Sequence, residues 1–158
     1  MNYHDIRKDD MLNGDGLRVV LFVSGCSHGC KGCHNPETWN PESGILFDEN
    51  AKNELFRELE KDYISGLTLS GGDPLNKHNL DDVLNLVKNV KQILPNKTIW
   101  IYTGYQYEQM FLDAADMDKR REILSYCDVL VDGTFEEDKK DVHAPFVGST
   151  NQNIIRLH

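Results

Sequence analysis

The chain reads as an α/β fold with a mostly parallel sheet, and three observations predict it. Short runs rich in Val, Ile, Leu and aromatic residues alternate with longer stretches whose apolar residues recur at helical spacing, the pattern of βαβ units with right-handed crossovers. The first run, residues 17–23, is apolar almost throughout, as a strand buried on both faces should be. Finally, every segment with chemical character directly follows one of these runs, where parallel α/β folds gather their binding loops. Residues far apart in sequence should therefore surround one pocket.

The elements justify that reading in order. Beyond the strand at 17–23, Asp48 is placed to cap a helix whose core face is Ala51, Leu55, Phe56, Leu59 and Tyr63. Residues 66–69 form a second strand. Asn79 is placed to cap another helix, with Asp81 and Asp82 in its first turn, where the helix dipole favours negative charge. Its apolar face is Leu80, Val83, Leu84, Val87, Val90 and Leu94, and Pro95 ends it. Residues 98–102 give a third strand, 107–114 and 118–126 helical segments, and 129–131 a fourth strand. Residues 136–149 show no period and are expected to be irregular, before a last strand at 153–157.

A chain of 158 residues fits a single domain, 1–158, and at about this length ~70% of the unfolded surface is buried, enough for a core without staples. No apolar run approaches the ~20 residues of a membrane span. The N-terminus, Met1-Asn2-Tyr3-His4-Asp5, lacks the basic and apolar regions of a signal peptide, so a cytoplasmic protein without a membrane partner is expected. A formal charge of −9 argues against nucleic acid, and the basic clusters Lys119-Arg120-Arg121 and Lys139-Lys140 read as solvated faces. Four cysteines without a secretion signal point to a reducing compartment, where thiols serve metals and catalysis.

Three of those thiols fall in Cys26-Ser27-His28-Gly29-Cys30-Lys31-Gly32-Cys33, directly after the first strand. Thiolates bind iron–sulfur clusters and zinc, and close spacing lets one loop wrap a compact metal centre. A four-iron cluster has four corners, so three sulfurs would leave one iron open to a small molecule. A zinc site completed by His28 or His34 is the first rival, disfavoured because small zinc modules supply their ligands as two separated pairs. A disulfide framework is the second, disfavoured by the compartment. After the second strand, Gly71-Gly72 allows close backbone approach and positive φ. A phosphate loop would carry Lys next; Asp73 stands there instead, and carbonyls with a carboxylate suit an ammonium group.

CxxxCxxC is the motif of the radical S-adenosylmethionine (SAM) enzymes, and the chain resembles that family. Gly71-Gly72-Asp73-Pro74, one βα unit later, is similar to its GGEP-type motif with Asp73 in place of Glu. The resemblance narrows to the activating enzymes that install glycyl radicals, oxidoreductases like those acting on formate C-acetyltransferase, and most closely to those of anaerobic ribonucleoside-triphosphate reductase. Asn13-Gly14-Asp15-Gly16, residues 21–26, Cys33-His34-Asn35-Pro36 with Trp39, residues 70–75, 102–105 and 129–133, and Gly148-Ser149-Thr150-Asn151-Gln152 carry it, across nearly the whole chain.

The resemblance implies a shortened partial (β/α) barrel of the radical SAM type and one [4Fe-4S] cluster held by Cys26, Cys30 and Cys33. It implies SAM as second cofactor, chelated through its amino and carboxylate groups by the open iron. Gly32 and His34 would present backbone to SAM, Gly72 and Asp73 would hold its amino group, and Thr103 would contact ribose or carboxylate. One departure stands out: the residue before the third cysteine is often aromatic in the wider family and packs near adenine, but here it is Gly32. Reductive cleavage of SAM would give a 5′-deoxyadenosyl radical that takes a hydrogen from a glycine of the reductase's large catalytic subunit. The electron would come from an external low-potential donor such as reduced flavodoxin. No side chain is assigned to acid–base catalysis. A radical SAM enzyme acting on a small molecule and a zinc-stabilised interaction domain are the alternatives.

Among the remaining residues, Cys127 reads as a buried apolar cysteine, Phe22 and Trp100 as core, and Trp39 as packing beside the cysteine loop in preference to meeting the partner. Asp132, after the fourth strand, either holds the site's shape or contacts a ligand.

Overall fold

The computed structural model describes residues 1–33, 36–111 and 115–157. Strands β1 (Asn2–Asp10), β2 (Arg18–Val23), β3 (Ile45–Leu46), β4 (Gly66–Gly71), β5 (Thr98–Tyr102), β6 (Val129–Asp132) and β7 (Asn153–Arg156) form a seven-stranded sheet ordered β3-β1-β2-β4-β5-β6-β7. Helices α1 (Glu49–Leu59), α2 (Leu80–Ile93) and α3 (Met117–Tyr126) occupy the connections after β3, β4 and β5. None of the helices among the described residues is long and apolar enough to cross a membrane.

The α/β class is as expected, but the sheet is mixed rather than mostly parallel. The pairs β2–β4, β4–β5 and β5–β6 are parallel, whereas β1–β2, β1–β3 and β6–β7 are antiparallel. A parallel neighbour needs a crossover long enough to traverse the sheet, which the helices supply only in its middle. At the margins the chain simply turns back through coil, as in residues 11–17 between β1 and β2.

Strand β1 has a physical reason for hiding in the sequence. Tyr3 pairs with Val23 but Asp5 with Phe22, so His4 is an extra residue, a β-bulge. The bulge puts Tyr3 and Ile6 on the core side opposite Val23 and Leu21, three residues apart where an unbroken strand would need two. The alternation that marks a strand is thereby erased.

The helices share one face of the sheet. Val19, Leu21, Val23, Leu67, Leu69, Ile99, Ile101 and Leu130 pack there against Leu55 and Leu59 of α1, Val83, Leu86, Val87 and Val90 of α2, and Ile123 of α3. Each fully buried Leu or Val stabilises by about 1.5–3 kcal/mol, so this shared core, rather than intrinsic propensity, holds the helices. On the other face Trp100, Val129 and Val131 pack with Tyr102, Phe146 and Val147 from the irregular segment. Phe22 and Trp100 are buried as expected.

The Asp48 carboxylate caps α1 by accepting from Ala51 N at 2.9 Å. Phe56 packs partly buried on the core, but Tyr63 lies beyond the helix and is 52% exposed. On α2 the buried stripe includes Leu86, with Leu84 and Leu94 only partly buried. Asn79 precedes α2 without capping it. The expected helix at 107–114 is only a 3-10 turn, Gln109–Phe111, and 112–114 fall outside the described residues. Segment 136–149 is irregular apart from the turn Glu137–Lys139 and a bridge between Lys140 and Ser149.

At the N-terminal end of the parallel strands lies Arg18, 0% exposed. Its five N–H groups are all used: Nε donates to Thr68 Oγ1, Nη1 to Asp15 O and Thr98 Oγ1, and Nη2 to Leu67 O and Thr98 O, at 2.8–3.0 Å. Burial lowers its pKa to about 10, which leaves the guanidinium charged at neutral pH.

Candidate functional site

The opposite, C-terminal end of the parallel strands carries the cysteine loop. Leaving β2, the chain is fixed by Gly25 N donating to Thr38 O (2.6 Å) and Cys26 N to Trp39 O (3.0 Å). Gly29 and Gly32 turn it at φ of +61° and +75°. Cys26, Cys30 and Cys33 are half-buried and, among the described residues, form no disulfide. Burial pushes the Cys26 thiol up to about 11, opposed by a hydrogen bond from the His28 backbone, while the charges of Asp73, Cys30 and Cys33 add to the rise. Burial likewise raises Cys30, opposed by the Phe135 backbone. At neutral pH Cys26 and Cys30 of the bare loop therefore keep their protons, which a bound cation would draw off.

Among the described residues no three His, Cys, Asp or Glu side chains converge on a single-ion site. The thiols are instead arrayed along the loop, close enough to feel one another's charge. A soft, all-sulfur donor set of this kind fits an iron–sulfur cluster. Cys127 adds no fourth sulfur, because it is 0% exposed behind α3 with its thiol on Ile123 O at 3.3 Å.

Strand β4 delivers the next segment. A Cβ on Gly71, at φ +111°, would come within 2.5 Å of Val23 N and O, and one on Gly72 within 2.7 Å of Gly25 O. The glycine pair thus lets the root of the cysteine loop lie directly against the end of β4. Asp73 N then donates to Gly25 O at 2.7 Å. The Asp73 carboxylate is 1% exposed and gathers three loops. It accepts from Leu75 N (2.9 Å), from Thr103 Oγ1 (2.9 Å to either oxygen), from Gly104 N (3.0 Å) and from His28 Nε2 (2.6 Å). Such a set fills the acceptor positions of a carboxylate. Asn79 spends its side chain here rather than on α2, donating to Ser24 O (2.7 Å) and Asp73 O (3.0 Å).

The His28 ring stands edge-on to Tyr105, centroids 4.6 Å apart, and the Arg120 guanidinium lies 4.5 Å from the centre of the Tyr105 ring. Arg120 Nε in turn donates to Leu75 O at 3.1 Å. After β6, Asp132 accepts from Tyr107 N at 2.8 Å, its other carboxylate oxygen buried without a hydrogen-bond partner. Gly133 N donates to Tyr105 O at 3.1 Å. Gln152 and Asn151 donate to Gly133 O (3.1 Å) and Thr134 O (2.8 Å), and Ser149 Oγ accepts from Glu136 N (3.2 Å). These bonds carry Phe135, Glu136, Glu137 and Asp138 to the cysteine loop, where they and Lys31 line a cleft of about 350 Å³. The space a Cβ on Gly32 would need is shared with the Glu137 side chain, 3.0 Å away.

Cys26, Cys30, Cys33 and Gly32 share one loop, Gly72 and Asp73 pack against its root, and Thr103 is bound to Asp73. His34 lies outside the described residues. The Trp39 side chain, expected to pack, is 36% exposed, while its backbone carbonyl accepts from Cys26 N. Sequence reasoning missed Asn79 as a tie between the loops and Gly104 and Tyr105 as the surroundings of His28, and Arg120, expected on a solvated face, is instead 2% exposed behind Tyr105. A glycine directly after Thr103 was the one signal that could have raised the question.

Residues 12–155 match the model of a family described as a 4Fe-4S single cluster domain. The chain is 44% identical over 99% of its length to the anaerobic ribonucleoside-triphosphate reductase-activating protein of Pasteurella multocida, covering 98% of that protein. It is 43% identical over 99% of its length to the protein of that name in Haemophilus influenzae, covering 99% of it, and 48% identical over 87% to that of Enterobacteria phage T4, covering 83% of it.

Proposed function

Since the chain belongs to the family of anaerobic ribonucleoside-triphosphate reductase-activating proteins and carries a 4Fe-4S single cluster domain, we propose that it is a radical SAM activase. Its partner is the large catalytic subunit of that reductase, on which it installs a glycyl radical, and its electron comes from a low-potential donor such as reduced flavodoxin. The whole chain, 1–158, works as one cytoplasmic domain, and its half-open sheet is a shortened partial (β/α) barrel of the radical SAM type.

The observation that carries the reading is the trio of thiols on one loop at the carboxyl end of β2, joined through Gly25 and His28 to the Gly71-Gly72-Asp73 turn. Cys26, Cys30 and Cys33 hold the cluster, and no fourth cysteine of the chain reaches it. When bound and reduced, the cluster supplies the electron for reductive cleavage of the SAM sulfonium.

The chain's own residues do the rest. Gly72 offers its carbonyl to the SAM amino group, and Asp73, already saturated by protein donors, contributes its negative charge. Gly32 and His34 present backbone beside the last cysteine, and Thr103 lies near the ribose or carboxylate. Half-burial of the thiols limits water at the cluster while leaving the loop reachable by a segment of a large partner.

Anaerobically prepared protein should contain about four iron and four sulfide per chain, the content of one such cluster. Incubated with SAM, reductant and the reductase, it should release 5′-deoxyadenosine and generate the doublet of a glycyl radical in electron paramagnetic resonance. Colourless protein with one zinc and no deoxyadenosine would sink the reading. SAM cleavage with a silent doublet would shift it to a small-molecule substrate.

A further inference from the structure

His28 is the one side chain of the cysteine loop that leaves the loop to bind elsewhere in the fold through a charge-assisted hydrogen bond, among the contacts of the described residues. Its receptacle is built for it. The floor is the buried Asp73 carboxylate, 2.6 Å from Nε2. One wall is the Tyr105 ring, itself backed by the Arg120 guanidinium. The other is Gly104, where an added Cβ would lie 2.4–2.8 Å from three atoms of the imidazole. Gly104 has no left-handed φ that would call for glycine, so what requires glycine there is the imidazole.

From this we infer that His28 is a positioning residue, the bolt that fixes the cluster loop to the loops after β4 and β5. The inference rests on the function proposed above and adds to it a named device. The cluster loop is held to the Gly72–Asp73 turn by two sets of ties, the first the backbone pair of Gly25 with Asp73 together with the Asn79 amide that bridges Ser24 O and Asp73 O, the second the side-chain pair of His28 with Asp73. The first set fixes only the root of the loop. The second fixes its outward half, between Cys26 and Cys30, so the open corner of a cluster and the amino-binding turn keep one geometry. The role assigned to His28 requires no contact with SAM or the reacting atoms and no proton transfer.

Three variants test it. His28→Ala removes the bolt, Gly104→Ala leaves His28 intact but fills its place, and His28→Gln keeps an N–H donor of similar reach. In the metal-free protein, tryptic cleavage after the exposed Lys31 reads how firmly the loop is held. It should quicken about tenfold in His28→Ala and Gly104→Ala and stay within about threefold of wild type in His28→Gln, the scale expected for one charge-assisted bond. In loaded protein, iron and sulfide content should be unchanged, while the SAM concentration that half-saturates the change in the reduced cluster's resonance spectrum rises about tenfold in the first two variants only. Wild-type cleavage and SAM response in both His28→Ala and Gly104→Ala would overturn the inference. A wild-type protein that never responds to SAM would instead overturn the proposed function, with the proteolysis still judging the bolt.

Discussion

Arg18 and Asp73 are buried charges of opposite sign at opposite ends of the same strands, each 0% exposed and each satisfied by several hydrogen bonds. They differ in who supplies the partners. Arg18 takes oxygens of Leu67, Thr68 and Thr98, which belong to β4 and β5 themselves, with Asp15 O closing the set. Asp73 takes donors from loops: Leu75 from its own turn, Thr103 and Gly104 from the next, His28 from the cysteine loop. A charge bound by strands locks the sheet; a charge bound by loops gathers a site. The lesson is that burial and saturation alone do not mark a functional residue, whereas the origin of its partners does.

The comparison can be broken or sharpened experimentally. The largest effect should come from the loops: replacing any of Cys26, Cys30 or Cys33 by Ala should abolish SAM cleavage, a loss of more than about a hundredfold read as deoxyadenosine released, since even supporting residues of metal ligands cost about 10–100-fold. Arg18→Ala should act oppositely. With the buried oxygen of Leu67 and the part-buried oxygens of Thr98 and Asp15 deprived of the guanidinium, unfolding free energy should fall by about 3 kcal/mol in denaturant titration, while the folded fraction binds SAM as before. A weakened SAM affinity in that variant would erase the distinction between the two ends. Asp73→Asn removes the charge but keeps the shape, so SAM affinity should drop about tenfold in a spectroscopic titration, about 1.4 kcal/mol.

Smaller effects follow from the thiols. The folded pKa of Cys26 is raised from 9.0 to about 11, so the folded state keeps a proton that the unfolded chain gives up. Stability from this group is therefore intact below pH ~9 and lost as pH climbs toward ~11, by about 1 kcal/mol once solvent screening of a half-buried thiol is allowed for. Thermal melts of metal-free protein across that range should show the decline, and Cys26→Ser should flatten it. Cys127→Ala should cost about 1 kcal/mol of stability through the small cavity it leaves, with SAM cleavage unchanged within assay error.

Much of this was legible beforehand, for a physical reason. The helix-side core follows period, so residues 17–23, the stripe from Leu80 to Val90 and the strand at 98–102 announced themselves. The thiols announced themselves by spacing. What stayed hidden depends on contacts between segments. A bulge at His4 broke the alternation of β1, and β3 is two exposed residues whose only strand-like property is the neighbour they pair with. Asn79 looked like a cap because Asn before an apolar helix ordinarily is one; a carbonyl of the cysteine loop's root, Ser24 O, claimed its amide instead. From sequence His28 reads as a structural contributor or, in the rival zinc site, a ligand, but nothing in a linear string places Asp73 beneath it.

The two faces of the sheet are covered by different kinds of structure. The face of the sheet opposite the helices is roofed around Trp100 by an irregular stretch that includes Phe146 and Val147, with no α-helix over it among the described residues. Lengthening such a stretch costs little closure entropy, whereas inserting into α2 would tear the core. Changes in the length of this roof should therefore leave the thiol loop and the strands beneath it in place.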